Sequence, residues 1–170
     1  VLLRKFYQLL LLTCRRLQLP PKPLDWFRHL IDCAGESLKI RVASKDSRPV
    51  ASILTLSFKG SLVYKYGCSD PRFNHLGGTH FLLWRAIQEA KHSSLHEFDL
   101  GRSDSHAPGL VTFKNRWGAT RSLSNYLRVS ISPAPDVTTG WKLRLAKQFF
   151  ARMPDNVLTA AGKILYRHIG

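Results

Sequence analysis

Residues 98–118 hold the side chains best suited to chemistry. They read Phe98-Asp99-Leu100-Gly101-Arg102-Ser103-Asp104, then a short polar gap with His106, then Gly109 to Gly118 with Phe113-Lys114-Asn115-Arg116-Trp117-Gly118 at its end. A carboxylate, a hydroxyl and three cations at this spacing suit anion binding and proton transfer. The apolar residues up to Leu100 predict a buried strand that ends at Gly101, and open α/β sheets bind their ligands in loops at the carboxyl ends of strands. The structural alternative treats Asp104 and Ser103 as helix caps, with Phe113 and Trp117 as core and Gly118 as a helix stop.

The elements that must position this loop follow from periodicity. Leu3, Phe6, Leu10 and Leu17 recur at helical spacing up to Pro20-Pro21-Lys22-Pro23, and a second helix is expected over Leu24–Ala34, stopped by Gly35. Leu38, Ile40 and Val42 alternate with Lys39 and Arg41 as in a half-buried strand. A turn over Asp46–Pro49 leads to a second strand through Val50, Ser52, Leu54 and Leu56, and a turn at Phe58-Lys59-Gly60-Ser61 to a third through Leu62, Tyr64 and Tyr66. These three form an antiparallel meander. Cys68–Gly78 reads as a polar loop and Thr79 as the cap of a helix with Leu83, Ile87 and Ala90 on one face. His96–Leu100 is the next strand, so the strand–helix–strand unit predicts a parallel pair with a right-handed crossover. A helix over Leu110–Trp117 and a final strand through Leu123, Asn125, Leu127, Val129 and Ile131 complete the sheet. The expected class is α/β (α+β): a mixed, mostly antiparallel sheet flanked by helices.

Past Ser132-Pro133-Ala134-Pro135 two basic amphipathic helices are expected, with Trp141, Leu145 and Phe149 on one face of the first and Val157, Ala161 and Ile164 on the second. The domain boundaries are thus residues 1–131, a linker over 132–140 and an extension over 141–170. The extension either packs on the sheet or rests on an anionic membrane surface.

Composition narrows the partners. The chain has 170 residues, with 26 Lys and Arg against 11 Asp and Glu, a formal charge of +15 that implies an anionic partner: nucleic acid, a membrane surface or a phosphorylated small molecule. The excess is uneven, with six basic residues to one acidic in 141–170 but seven to five in 61–118. Cys14, Cys33 and Cys68 match neither a zinc site nor a secreted disulfide framework, which favours a reducing cytoplasm. Arg15 and Arg16 cut the apolar run Leu9–Leu12 short of the roughly 20 residues a bilayer needs. No Ser-His-Asp or His-Cys arrangement is legible. The chain opens on Val1 in what reads as a helix, so it is expected to be part of a longer protein.

Gly77 and Gly78 ahead of a helix present backbone amides suited to an anion, although two glycines there are also an ordinary turn. The meander followed by strand, loop, helix and strand resembles GNAT acyltransferases. Within them the chain is similar to the FemAB-like branch, through Tyr64-Lys65-Tyr66-Gly67-Cys68-Ser69-Asp70, Asn74–Trp84, Phe98–Asp104 and Phe113-Lys114 with Trp117-Gly118. That resemblance implies a GNAT-like fold, a preceding first GNAT-like domain, and a metal-free transfer of an acyl or aminoacyl group to an amine or hydroxyl, with a role in cell-envelope polysaccharide or peptidoglycan metabolism. It implies an anionic donor, acyl-CoA or aminoacyl-tRNA, and a cytoplasmic location peripheral to the inner membrane. Lys114 is the expected charge near an oxyanion or donor phosphate, Asp104 and Asp70 orient or deprotonate the nucleophile, and Tyr66 protonates the leaving group. Arg102, Ser103, Asn74, Gly77, Gly78, Thr79 and Trp117 are expected to bind substrate or donor. Asn74-His75-Leu76-Gly77-Gly78-Thr79 departs from the coenzyme A signature at its first and last positions. The competing reading is a non-catalytic basic module that binds nucleic acid or an anionic membrane.

Overall fold

A computed structural model describes residues 1–104, 107–125 and 154–167. Two helices come first, α1 (Leu2–Leu17) and α2 (Leu24–Ala34), followed by three strands, β1 (Leu38–Lys45), β2 (Arg48–Phe58) and β3 (Ser61–Ser69). Helix α3 (Gly78–His92) leads to β4 (Glu97–Asp99), then come α4 (Pro108–Asn115) and α5 (Asp155–Arg167). The sheet order is β1-β2-β3-β4, antiparallel except for the parallel pair β3–β4. The expected meander and crossover are both present.

Turn chemistry fixes the register. Asp46 and Ser47 (φ 49° and 64°) close the first hairpin, and Lys59 and Gly60 (φ 46° and 81°) the second. Two central residues with positive φ give the primed turns whose twist suits flanking strands. Each strand then divides its side chains between two faces. Leu38, Ile40, Leu54, Leu56, Tyr66 and Cys68 pack with Phe6, Tyr7, Leu9, Leu10 and Phe27 of α1 and α2. The opposite face carries Arg41, whose guanidinium donates to Thr55 Oγ1 at 2.8 Å and pairs with Glu89 of α3. Arg41 holds the Glu89 carboxyl below its ordinary range.

Several expectations need correction. β3 runs on to Ser69 because Ala51↔Ser69 and Ser52↔Cys68 continue the ladder, so Cys68 is a buried strand residue and no part of a polar loop. A 3-10 turn, Pro71–Leu76, replaces most of the expected loop. Gly77 (φ 66°) takes the N-cap of α3, without a side-chain cap bond, and Thr79 lies inside the first turn. The last strand of the described sheet is only Glu97–Asp99. Arg121–Asn125 has no regular secondary structure and Leu123 is 96% exposed, against the strand expected there. His106, Leu127, Val129, Ile131 and the helix expected through Trp141, Leu145 and Phe149 lie outside the described residues.

The second C-terminal helix, α5, pairs with both N-terminal helices. Leu158 is fully buried, Arg15 pairs with Asp155, and Lys163 lies 3.8 Å from Asp25. Its inward face is Leu158 and Gly162, whereas Val157 and Ile164, expected on the packed face, are exposed. The chain divides into two compact units, Val1–Gly101 with Lys147–Gly170, and Arg102–Ala146.

A Cβ on Gly162 would lie 2.1 Å from the Pro21 carbonyl oxygen, an approach that no rotamer change relieves. Gly162→Ala is therefore expected to destabilise the fold by about 1–3 kcal/mol, the usual cost of overpacking, and Lys163→Ala by no more than about 0.5 kcal/mol. Thermal unfolding of the two variants measures the difference.

Candidate active site

The parallel pair is short. β3 meets β4 only at Ser61↔Glu97, Leu62↔Phe98 and Val63↔Asp99, while β3 itself continues on β2 to Ser69. Among the described residues, the outer edge of β3 from Tyr64 to Ser69 therefore has no strand partner. A row of backbone N–H and C=O groups at such an edge is a ready template for another extended, amide-bearing chain. β3 also bulges here. Leu54 pairs with Tyr66 but Thr55 with Tyr64, which leaves Lys65 as the extra residue. Bulges bend a strand and re-aim the groups that follow. Gly101 (φ 72°) passes so close that a Cβ on it would lie 3.3 Å from the Tyr64 carbonyl oxygen.

Helix α3 begins at the same end of the sheet. A Cβ on Gly78 would lie 3.0 Å from the Cβ of Ala51, the partner of Ser69, so the helix starts beside the carboxyl end of β3. The first helical bond runs from Phe81 N–H to the Gly77 carbonyl at 2.9 Å, leaving the Gly78 and Thr79 amides outside the helical ladder. With the positive end of the helix dipole, these amides suit an anion. Asn74 is exposed on the 3-10 turn, and its carbonyl accepts the Gly77 N–H at 3.1 Å.

Two expected acid–base residues have structural duties. Asp70 is buried; Oδ1 accepts the Arg72 backbone N–H at 3.1 Å and Oδ2 the Arg72 guanidinium at 2.6 Å. The Arg72 hydrogen bond holds its carboxyl below the usual range, and its side chain caps the 3-10 turn. Tyr66 stacks edge-on with Phe6, Trp26 and Phe27, and burial pushes its phenol up to about 12.

In the second unit, Lys114 is buried on α4, and its Nζ donates to the Arg102 carbonyl at 3.0 Å. The lysine thus ties the Arg102–Asp104 segment to the helix. Asp104 is no N-cap: Ala107 holds that position without a side-chain bond, and the Asp104 carbonyl accepts the Ala107 N–H at 3.0 Å. Ser103 is half-buried, and the Trp117 N–H donates to the Lys114 carbonyl at 3.0 Å in the turn that Gly118 (φ 71°) closes. Among the described residues, no group of three or more His, Cys, Asp or Glu side chains is placed to hold a metal ion.

Sequence reasoning assigns no site role to Gly67 or Tyr64. A Cβ on Gly67 would fall 1.6 Å from the Tyr64 hydroxyl, so the tyrosine ring folds over the glycine beside the open edge. Burial raises the Tyr64 phenol to about 12. A glycine inside a strand marks close approach, and that signal is present in the sequence.

Residues 3–115 match the family described as acetyltransferase (GNAT) domain. No protein of curated function matches the sequence. An aminoglycoside acetyltransferase from an uncultured soil metagenomic sample, crystallised with sisomicin, has a similar fold at TM-score 0.61 and 13% identity, over 75% of this chain and 90% of its own. A Bacillus halodurans protein, solved as a mutant, aligns at TM-score 0.57 and 11% identity, over 76% and 96%. A Trypanosoma brucei acetyltransferase aligns at TM-score 0.52 and 16% identity, over 76% and 94%.

The raised phenols set an alkaline limit on stability. Tyr64 and Tyr66 keep their protons to about 12 in the fold but lose them near 10 when unfolded. Their contribution is complete below pH 10 and is lost as the pH rises towards 12. Urea midpoints taken from pH 8 to 12 are expected to hold flat and then fall, and Tyr64→Phe should reduce the slope of that fall.

Proposed function

Because the chain belongs to the acetyltransferase (GNAT) domain family, we propose that it moves an acyl group from an acyl-CoA thioester to an amine, with the open edge of β3 as the donor site. The observation that carries this reading is the parting of β3 from β4 after three residue pairs, beside the N-terminus of α3. The pantetheine arm of coenzyme A is an extended chain with two amides, which fits an unpaired strand edge as a third partner would. Its pyrophosphate suits the amides of Gly78 and Thr79. Gly77 and Gly78 keep Cβ atoms out of that approach. When bound, the donor supplies the activated thioester; the chain supplies orientation and dipoles.

Backbone N–H groups along Tyr64–Ser69 are fixed before the donor arrives, so they can polarise a thioester carbonyl without reorganising. The buried aromatic face behind β3 keeps that edge from shifting. Lys114 acts as a positioning residue, since its ammonium holds the Arg102 carbonyl. As the FemAB-like resemblance implies, Arg102 would take an anionic part of the acceptor and Asp104 the proton of the nucleophile, with Ser103 and Trp117 as further binding residues of the second unit.

A second reading is favoured by the charge of +15. It keeps the fold and the acceptor chemistry but takes an aminoacyl-tRNA donor, as the FemAB-like resemblance implies, with an acceptor in the cell envelope. Phosphate contacts with tRNA make affinity fall steeply with salt.

Titration of thermal stability with acetyl-CoA at two salt concentrations distinguishes the two. Saturable stabilisation that survives salt is expected. Thr79→Asp sharpens the test: a carboxylate in the first turn of α3 favours the helix by about 0.3–1 kcal/mol yet repels a donor pyrophosphate. The variant is expected to unfold no earlier than the parent and to bind acetyl-CoA about tenfold or more weakly, equivalent to about 1.4 kcal/mol. Equal affinity in the two proteins would remove the donor from the α3 terminus.

A further inference from the structure

We propose that the outer face of α5, with the adjoining end of α1, docks on an anionic lipid bilayer. Helix α5 carries two apolar stripes. Leu158 and Gly162 face inward, while Val157, Ala160, Ala161 and Ile164 recur at i, i+3, i+4 and i+7 beside them. Val157 is 47% and Ile164 65% exposed, and Leu165 adds a further 38%. A helix that merely covered a core would not need this second stripe.

The helix is pinned so that the stripe stays outward. Gly162 lies against the Pro21 carbonyl, Asp155 pairs with Arg15, and Lys22 sits over the rings of both Trp26 (4.4 Å) and Tyr166 (4.6 Å). The end of α1 and the following turn therefore run alongside α5, and they expose Leu17 and Leu19. Several large apolar side chains thus reach the surface of two neighbouring segments.

Charge identifies the occupant. The end of α1 and the turn after it, residues 14–23, hold Arg15, Arg16 and Lys22 and no acid, and residues 154–167 hold Lys163, Arg167 and Asp155. Arg15 and Asp155 offset each other and Lys163 lies 3.8 Å from Asp25, which leaves Arg16, Lys22 and Arg167 as the net positive charge. Apolar side chains flanked by cations suit the boundary between headgroups and acyl chains of an anionic leaflet. A second copy of the chain would bring like charges together. At 13 residues α5 is about 20 Å long and lies along an interface, and no helix of the described residues is long and apolar enough to cross a membrane. The proposal does not depend on the acyl-transfer reading.

The test is co-sedimentation of the whole chain with vesicles of phosphatidylcholine and phosphatidylglycerol, against vesicles of phosphatidylcholine alone. Binding is expected only to the anionic vesicles and should weaken with salt. The double variant Val157→Glu/Ile164→Glu should bind about tenfold or more weakly while keeping its unfolding midpoint, since loss of apolar contact and added negative charge act together. Should that variant unfold early, Val157→Ser/Ile164→Ser supplies the same comparison without new charge. The proposal is overturned by equal binding to neutral vesicles, by no binding to either, by full binding of a folded variant, or by a dimer in solution that these substitutions dissolve.

Discussion

Phe27 of α2 touches four other rings, those of Phe6, Tyr7, Trp26 and Tyr66, and it is completely buried. The ring centroids lie 4.9–6.1 Å apart with planes near perpendicular, the edge-to-face arrangement that aromatic quadrupoles favour. Everything else about the first unit follows from this lattice. It joins α1 and α2 to the middle of the sheet and fixes which pleat of β3 faces them. The opposite pleat then faces α3. Tyr66 belongs to the lattice and Tyr64 does not, and the bulge at Lys65 lets two tyrosines two positions apart face opposite sides.

Among the described residues, β3 keeps its outer edge open after three pairs with β4, which leaves a row of backbone N–H and C=O groups for another extended chain to meet. Three glycines surround the opening. Gly101 lets the chain leave β4 against the Tyr64 carbonyl, Gly67 makes room for the Tyr64 ring, and Gly78 lets α3 begin in contact with Ala51. Each glycine stands where a Cβ would push one wall of the opening. Asp70 and Arg72 pair across the turn between β3 and α3.

The meander is legible in the sequence because both hairpins announce themselves through short polar turns between alternating strands, and α2 is legible to the residue because Pro23 and Gly35 bound it. The parallel crossover follows from the length of α3. The ends of elements are less visible. Thr79 has the chemistry of a cap, but Gly77 reaches the left-handed backbone the position demands at lower cost, so the cap lies two residues earlier. Cys68 and Ser69 read as polar because a single sequence does not show that Ser52 and Ala51 extend the ladder opposite them. At the site, composition points to side chains while the opening is built from backbone, and backbone groups leave no residue type to read. Asp70 and Tyr66 stand out by residue type, but their role depends on Arg72 and on three aromatic rings whose proximity only the fold creates. The inward stripe of α5 escapes a reading by hydrophobicity because Gly162 has none to register, although its lack of a side chain is what permits the contact with Pro21.

The docking of α5 also orders events during synthesis. The first unit is built from two separated stretches of the sequence, residues 1–101 and 147–170, with the second unit lying between them in the chain. The aromatic lattice and the four-stranded sheet need only the earlier part, whereas Leu158 reaches its buried position only after the later part leaves the ribosome. At ordinary elongation rates of about 5–20 residues per second that interval is on the order of several seconds. Throughout it the Pro21 carbonyl stays without the Gly162 backbone that will later lie against it.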